Sequence, residues 1–191
     1  MNWFPDYNYI LASKSPRRQQ LLQLLGINFS VRLKDVDEVF PKGLAPFDIP
    51  VYLAELKAKA FIPELKQNDL LITADTIVVL EGNVIGKPAD IEDARRLLRL
   101  LSGKEHQVIS GVCLSTTIKK KSFYVTTNVQ FKELSEQEIS HYIHTSHTLD
   151  KAGAYGIQDW IGYIGISHIE GSFYNVMGLP VQRLYEEILQ F

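Results

Sequence analysis

The order of strand-like and helix-like segments in this 191-residue chain predicts a sheet with helices packed on it, in an α/β or α+β arrangement. Three observations carry the expectation. Short apolar runs such as "YNYILAS" and "DLLITADTIVVL" alternate with segments of helical spacing. Several of those helices carry their own start and stop residues. Hydrophobic residues make up 46% of the chain, enough for a packed core in one domain over residues 1–191.

Taken in order, "YNYILAS" reads as a buried first strand that runs into a turn of small polar residues. In the helix that follows, Ser15 is a candidate N-cap and Pro16 the first helical residue. Leu21, Leu22 and Leu25 form its apolar face, and Gly26 supplies a left-handed stop. "INFSVRL" looks like a second strand. "KDVDEVFPKGLAPFDIP" has three prolines and four acids in no regular period, so it reads as a long loop, and loops of that length are usually functional or mobile. "VYLAELKAKAF" resumes helical spacing through Leu53, Leu56 and Ala60. "DLLITADTIVVLEGNVIGKP" reads as a long strand, a tight turn at Glu81-Gly82-Asn83 and a short return strand. "DIEDARRLLRLLSG" is a helix with Asp90 as cap and Gly103 as stop. Residues 106–118 and 122–132 form a long hairpin whose exposed turn holds the three lysines "KKK". "SEQEISHYIHTSH" opens with a capping box from Ser135 to Glu138, and "GLPVQRLYEEILQF" is an amphipathic closing helix. Between them, residues 153–178 are rich in glycine and aromatics.

Charge and composition narrow the function classes. Twenty basic residues against 22 acidic ones give a formal net charge of −2, so no global field draws the protein to nucleic acid or to an anionic membrane, and any anion site is local. The single cysteine, Cys113, excludes an internal disulfide and lies in "VISGVCL", where a small buried hydrophobe fits. The first residues lack a basic start and a sustained apolar stretch, and no run approaches 18 apolar residues; a cytoplasmic protein is expected.

Four features carry chemistry. Arg17 and Arg18 sit just inside a helix N-terminus, where unpaired N–H groups and the dipole disfavour cations by about 0.3–1 kcal/mol each. Both side chains could extend into water. A strand, a turn with Ser13 and Ser15, and a helix start is also the geometry that holds phosphate, and arginine forks suit phosphate oxygens. Asp75, an acid inside "LLITADTIVVL", must be protonated, paired or metal-bound if it is buried; a solvated bend in the strand is the alternative. Lys87 in "IGKP" is placed to return beside it or to lie on the surface. Asp35, Asp37 and Glu38 offer oxygen ligands of the kind that hold Mg²⁺ or Mn²⁺ together with phosphate, although acidic loops are commonly just solvated. Within the glycine-rich tract, Gln158 can donate and accept toward a base edge, in a base pocket or simply in a sheet with tight bends. Locally, nothing singles out Lys57.

In order along the chain, "LASKSPRRQQLLQLLG", "DVDE", "LAELKAKA", "TADTIVVLEGNVIGKPAD", "LSGKEHQVISGVCL" and "DKAGAYGIQ" with "IEGSFYNVMGLP" together resemble the Maf family of nucleoside triphosphate pyrophosphatases. The resemblance covers nearly the whole chain. It implies an α/β fold of the inosine-triphosphatase-like type, a mixed sheet with flanking helices and two lobes around a cleft. It also implies metal-dependent hydrolysis of a nucleoside triphosphate, with Mg²⁺ or Mn²⁺, to the monophosphate and pyrophosphate. By carry-over Asp75 is the catalytic acid of the "ADT" motif, as base for water or as metal ligand. Ser13, Arg17, Arg18, Lys57 and Lys87 surround the triphosphate, and Glu38 joins Asp75 as a metal ligand. Arg17, Thr76 and Gln158 match the branch acting on dTTP and UTP, with modified pyrimidine nucleotides as further candidates. A uracil or thymine edge presents N3–H and O4, which a glutamine amide matches as acceptor and donor. Two positions depart from the family pattern: Asp159 and Thr73 stand where glycine is common. The competing readings are a methylguanosine triphosphate pyrophosphatase of the same family, and a nucleic-acid-binding or division-regulating module. The expected partner is a nucleoside triphosphate, with neither nucleic acid nor membrane, and a homodimer is left open.

Overall fold

The first apolar run forms strand β1 (Asn8–Leu11) in a computed structural model that describes residues 3–191. Helix α1 (Pro16–Leu24) follows, with the Ser15 side chain accepting the Arg18 N–H and Pro16 at the first position, while Gly26 takes φ 84° after the helix ends. The chain continues through β2 (Phe29–Val31), α2 (Asp48–Phe61), a 3₁₀ turn at Ile62–Glu64, β3 (Asp69–Leu80), β4 (Asn83–Ile85) and α3 (Ile91–Leu101). Strands β5 (Glu105–Ser115) and β6 (Lys120–Phe131), helix α4 (Glu136–Thr145), a 3₁₀ turn at Ala152–Ala154 and α5 (Trp160–Gly165) come next. Strand β7 (Ile166–Glu170) and helices α6 (Phe173–Met177) and α7 (Val181–Leu189) complete it. The chain divides into two units, each with its own core. One contains the residues up to Asp75, Ser110–Val125 and Gly178–Phe191; the other contains Thr76–Ile109 and Thr126–Met177.

In the first unit the strand order is β2-β1-β3-β5-β6, and β1 pairs in parallel with both β2 and β3, Tyr9 facing Phe29 on one side and Leu70 on the other. Helix α2 lies close against the strands because the contact residues are small. Ala54 and Ala58 pack with Ile10, Leu71 and Cys113, and a Cβ added at Gly111 of β5 would stand 2.3 Å from the Pro50 carbonyl carbon. Thr73 is completely buried here: its hydroxyl donates to the Ala54 carbonyl at 2.7 Å and so ties β3 to α2.

In the second unit β4 returns along β3 antiparallel through a two-residue turn, Glu81-Gly82, with both φ angles positive, the geometry that matches strand twist. The order is β4-β3-β5-β6-β7, with β6 and β7 antiparallel from Asn128 opposite Glu170. Parallel and antiparallel pairs together make the sheet mixed, and helices flank it. The core packs Val78, Leu98, Leu101, Phe131, Tyr142 and Ile161. Asp90 caps α3, and Ser135 with Glu138 forms the expected capping box of α4.

Two expectations need correction. The loop before α2 stops at Phe47, since Asp48, Ile49 and Pro50 form the first turn of the helix, where proline's missing N–H costs nothing. The buried face also differs from the one the spacing marks: Ile49, Leu53, Ala54, Ala58 and Phe61 are buried, while Leu56 and Ala60 are only half-buried. The three lysines do not share an exposed turn. Lys119 lies in the turn, but Lys120 and Lys121 belong to β6, drawn onto the strand by Glu55 of α2 at 2.7 Å and by Glu187 of α7. Among the described residues no helix is long and apolar enough to cross a membrane.

Candidate active site

The turn between β1 and α1 is organised by two serines. Ser13 Oγ accepts the Ser15 N–H at 3.2 Å, and Ser15 Oγ accepts the Arg18 N–H at 3.5 Å, a pattern in which short hydroxyl side chains fix the helix start. No acid stands in the first turn of α1 to offset the arginines. Arg17 is half-buried there. Arg18 does not extend into water. Its guanidinium turns inward, donating from Nε to the Gly178 carbonyl at 2.8 Å and from Nη1 to the Ala74 carbonyl at 2.9 Å. Burial lowers its affinity for the proton below the ordinary arginine range, and the nearby Asp75 carboxylate opposes that shift.

Asp75 follows Ala74 on β3, inside a strand whose neighbours are nearly all buried, so the carboxylate needs a counter-charge. Lys57 supplies it from α2, with Nζ 2.6 Å from Asp75 Oδ1. The same ammonium lies 3.0 Å from Glu38 Oε1, which reaches in from the long acidic loop. The side chains of Asp75 and Lys57 are 12% and 15% exposed, whereas Glu38 is 44% exposed, so the cluster is closed on the strand side and open on the loop side. Asp35 takes another course and pairs with Lys14 at 2.7 Å on the surface. Among the described residues no three His, Cys, Asp or Glu side chains converge as a metal site. Two carboxylates meeting at one point are nonetheless a donor set that suits Mg²⁺ or Mn²⁺ when phosphate oxygens complete the shell. Glu38 and Asp75 therefore fit the expected ion.

The second unit carries Thr76, Lys87 and Gln158. Thr76 is half-buried on β3, next after Asp75, and Lys87 lies exposed just past β4. Gln158 sits at the head of α5 and donates from Nε2 to Asp159 Oδ1 at 3.1 Å. Its carbonyl oxygen Oε1 is buried with no hydrogen-bond partner among the described residues. Leaving such an acceptor unpaired costs about 1–3 kcal/mol. Asp159 Oδ2 accepts from the Tyr142 hydroxyl at 2.7 Å and lies 3.4 Å from the buried Lys151 ammonium. Burial, and then the Asp159 carboxylate, push the Tyr142 hydroxyl far above its ordinary value, so it stays a donor at any physiological pH.

Residues 8–191 match the family of Maf-like proteins. The chain belongs to the Maf family. A dTTP/UTP pyrophosphatase of Bacteroides thetaiotaomicron is 54% identical over 183 residues, covering 95% of each chain. One of Phocaeicola vulgatus is 53% identical over the same length and coverage. Among solved structures, the Ham1 protein of Staphylococcus aureus overlaps 65% of this chain and 71% of its own with a TM-score of 0.47 and 18% identity.

Within this Maf-family chain, the first unit gathers Ser13, Arg17, Arg18, Glu38, Lys57 and Asp75, and it joins Lys57 to both carboxylates directly. Sequence reasoning alone did not single out Lys57; its signal was the alanines at 54 and 58, whose small size brings that face of α2 down onto β3. Tyr142 and Lys151 were also missed. A carboxylate at 159 in a tract otherwise poor in charge was the clue to them, since a buried acid requires donors.

Proposed function

We propose that the protein hydrolyses dTTP and UTP to the monophosphate and pyrophosphate, in the cytoplasm and with Mg²⁺ or Mn²⁺. One observation carries the reading: a buried carboxylate, Asp75, shares an ammonium with Glu38 in the same unit as an arginine-bearing helix start. The relatives named dTTP/UTP pyrophosphatases support the choice of substrate. Water attacks the α-phosphorus, the bond to the bridging oxygen of the β-phosphate breaks, and pyrophosphate leaves. The Asp75 carboxylate accepts the proton of the attacking water. Glu38 and Asp75 would hold the divalent ion, which neutralises charge on phosphate oxygens. Ser13, Arg17, Lys57 and Lys87 take the triphosphate, and charge accumulating on the leaving pyrophosphate is where the cations act most strongly. Arg18 contributes its charge from an anchored position. Thr76 and Gln158 belong to base choice, with Gln158 Oε1 as acceptor for the N3–H of uracil or thymine.

Pyrophosphate release from a panel of canonical and modified triphosphates, with and without Mg²⁺ or Mn²⁺, tests the reading. Metal-dependent release that is fastest with dTTP and UTP is expected. Release from neither, in the presence of either ion, refutes it.

A further inference from the structure

We propose that Asp159 is a positioning residue that fixes which way the Gln158 amide faces, and thereby excludes bases that carry an exocyclic amine in place of the carbonyl. The inference rests on Gln158 reading the base. A primary amide can rotate by half a turn and present either its oxygen or its NH₂ to the same partner. Such an amide accepts the N3–H and O4 edge of thymine or uracil in one orientation and the N3 and 4-amino edge of cytosine in the other. Here the rotation is blocked by charge. A carboxylate oxygen accepts hydrogen bonds and has none to give, so the amide atom 3.1 Å from Asp159 Oδ1 must be Nε2.

The carboxylate itself has little freedom. Its Oδ2 is occupied by the Tyr142 hydroxyl at 2.7 Å and faces Lys151 at 3.4 Å, while the Tyr142 oxygen in turn accepts the Gly156 N–H at 3.1 Å. That leaves Oδ1 for Gln158. The seat also depends on Gly156, because a Cβ there would lie 2.6 Å from Asp159 Oδ2 and 2.9 Å from Gln158 Nε2. With Nε2 held, Oε1 is the buried, unpaired acceptor, and Nε2 keeps its second hydrogen for a carbonyl. Acceptor and donor are thus set in the order that a keto–imino edge needs. An amino-bearing cytosine or adenine edge would meet acceptor against acceptor and donor against donor.

The test compares kcat/KM for dTTP and dCTP in the wild type, Asp159→Ala and Asp159→Asn, with a thermal melt of each. Freeing the amide in Asp159→Ala lowers the dTTP-to-dCTP ratio by about tenfold or more, part of it through a gain on dCTP. In Asp159→Asn the one carbonyl oxygen goes to the Tyr142 hydroxyl and the Lys151 ammonium, its NH₂ faces Gln158 and turns that amide over, so the ratio falls by about tenfold or more here as well. A folded Asp159→Ala with the wild-type ratio overturns the proposal, as does an equal loss on both substrates. Wild-type protein that is inert toward dTTP overturns the substrate reading instead, whereas an active wild type with an unshifted ratio in the variant overturns only the orientation lock. If Asp159→Ala does not fold, the side-chain NH₂ signals of Gln158 in the ¹⁵N–¹H spectrum of the wild type decide: one proton shifted downfield by the carboxylate is expected, and an ordinary solvent-exposed glutamine pair refutes it.

Discussion

Replacing Asp75 by asparagine keeps the side chain's shape and removes its charge, which makes it the sharpest single perturbation of the proposed site. The structural cost is bounded by what remains. Lys57 loses its partner at 2.6 Å and keeps Glu38 at 3.0 Å, so no buried ammonium is orphaned. Arg18, whose buried charge Asp75 helps to compensate, loses part of that support. Together these amount to about 1–3 kcal/mol of folding stability. For a chain of this size that lowers Tm by about 2–4 °C per kcal/mol, leaving the variant folded at 25 °C. The chemical cost is larger. Loss of a positioned general base commonly lowers turnover by about 10²–10⁴-fold, a barrier increase of about 3–5 kcal/mol. Pyrophosphate release from dTTP with saturating Mg²⁺ or Mn²⁺, alongside a thermal melt, separates the two effects. A folded Asp75→Asn that turns over dTTP within about threefold of the wild type would remove Asp75 from the role of base.

Other perturbations probe the scaffold. Arg18→Lys cannot donate to the Ala74 and Gly178 carbonyls at once with the same planar fork, and a loss of about 2 kcal/mol in urea unfolding is expected; an unchanged midpoint would contradict the anchoring role. Gly111→Ala places a Cβ 2.3–2.5 Å from three backbone atoms of Pro50 and Val51, atoms that cannot rotate away, so a loss of about 3 kcal/mol or an insoluble protein is expected, read by expression yield and melting. His106, buried against Phe131 and Tyr155, is pushed down to about 4 by desolvation. Because its folded value lies below the unfolded one of 6.5, the unfolded chain binds the proton first, and stability falls as pH drops from 6.5 toward 4, by about 3 kcal/mol in total. Urea midpoints at pH 7 and 4.5 for wild type and His106→Phe measure it, and identical pH slopes in the two proteins would disprove it.

Local signals were legible wherever one residue decides a local geometry. Ser15 with Pro16, Asp90, and Ser135 with Glu138 mark helix starts that the structure reproduces, and Gly26, Gly82 and Gly103 mark left-handed positions. What sequence spacing could not supply was the partner of each charge. The arginine pair reads as two equivalent cations, yet Arg18 is anchored by carbonyls at positions 74 and 178, which no local pattern reveals. The lysine run reads as a solvated turn, because Glu55 and Glu187 are far away in the chain. Asp159 reads only as a departure from the family's glycine, and its effect depends on Tyr142 and Lys151, which only packing brings to it.

The Arg18 fork has a consequence for how the protein reaches its folded state. Its two carbonyl partners lie 56 and 160 residues further along the chain, and the unit that holds them is assembled from three separate stretches of sequence. Contacts of such long range come at a high loop-closure entropy and form late, after local helices and hairpins are already in place. The core around Val78, Leu98 and Leu101 is completed by residues as far along as Ile161, and a fragment ending before Gly178 lacks one of the two oxygens that hold the guanidinium. Competence at the candidate site is therefore a property of nearly the entire chain, and its appearance during refolding should lag behind the recovery of helical signal.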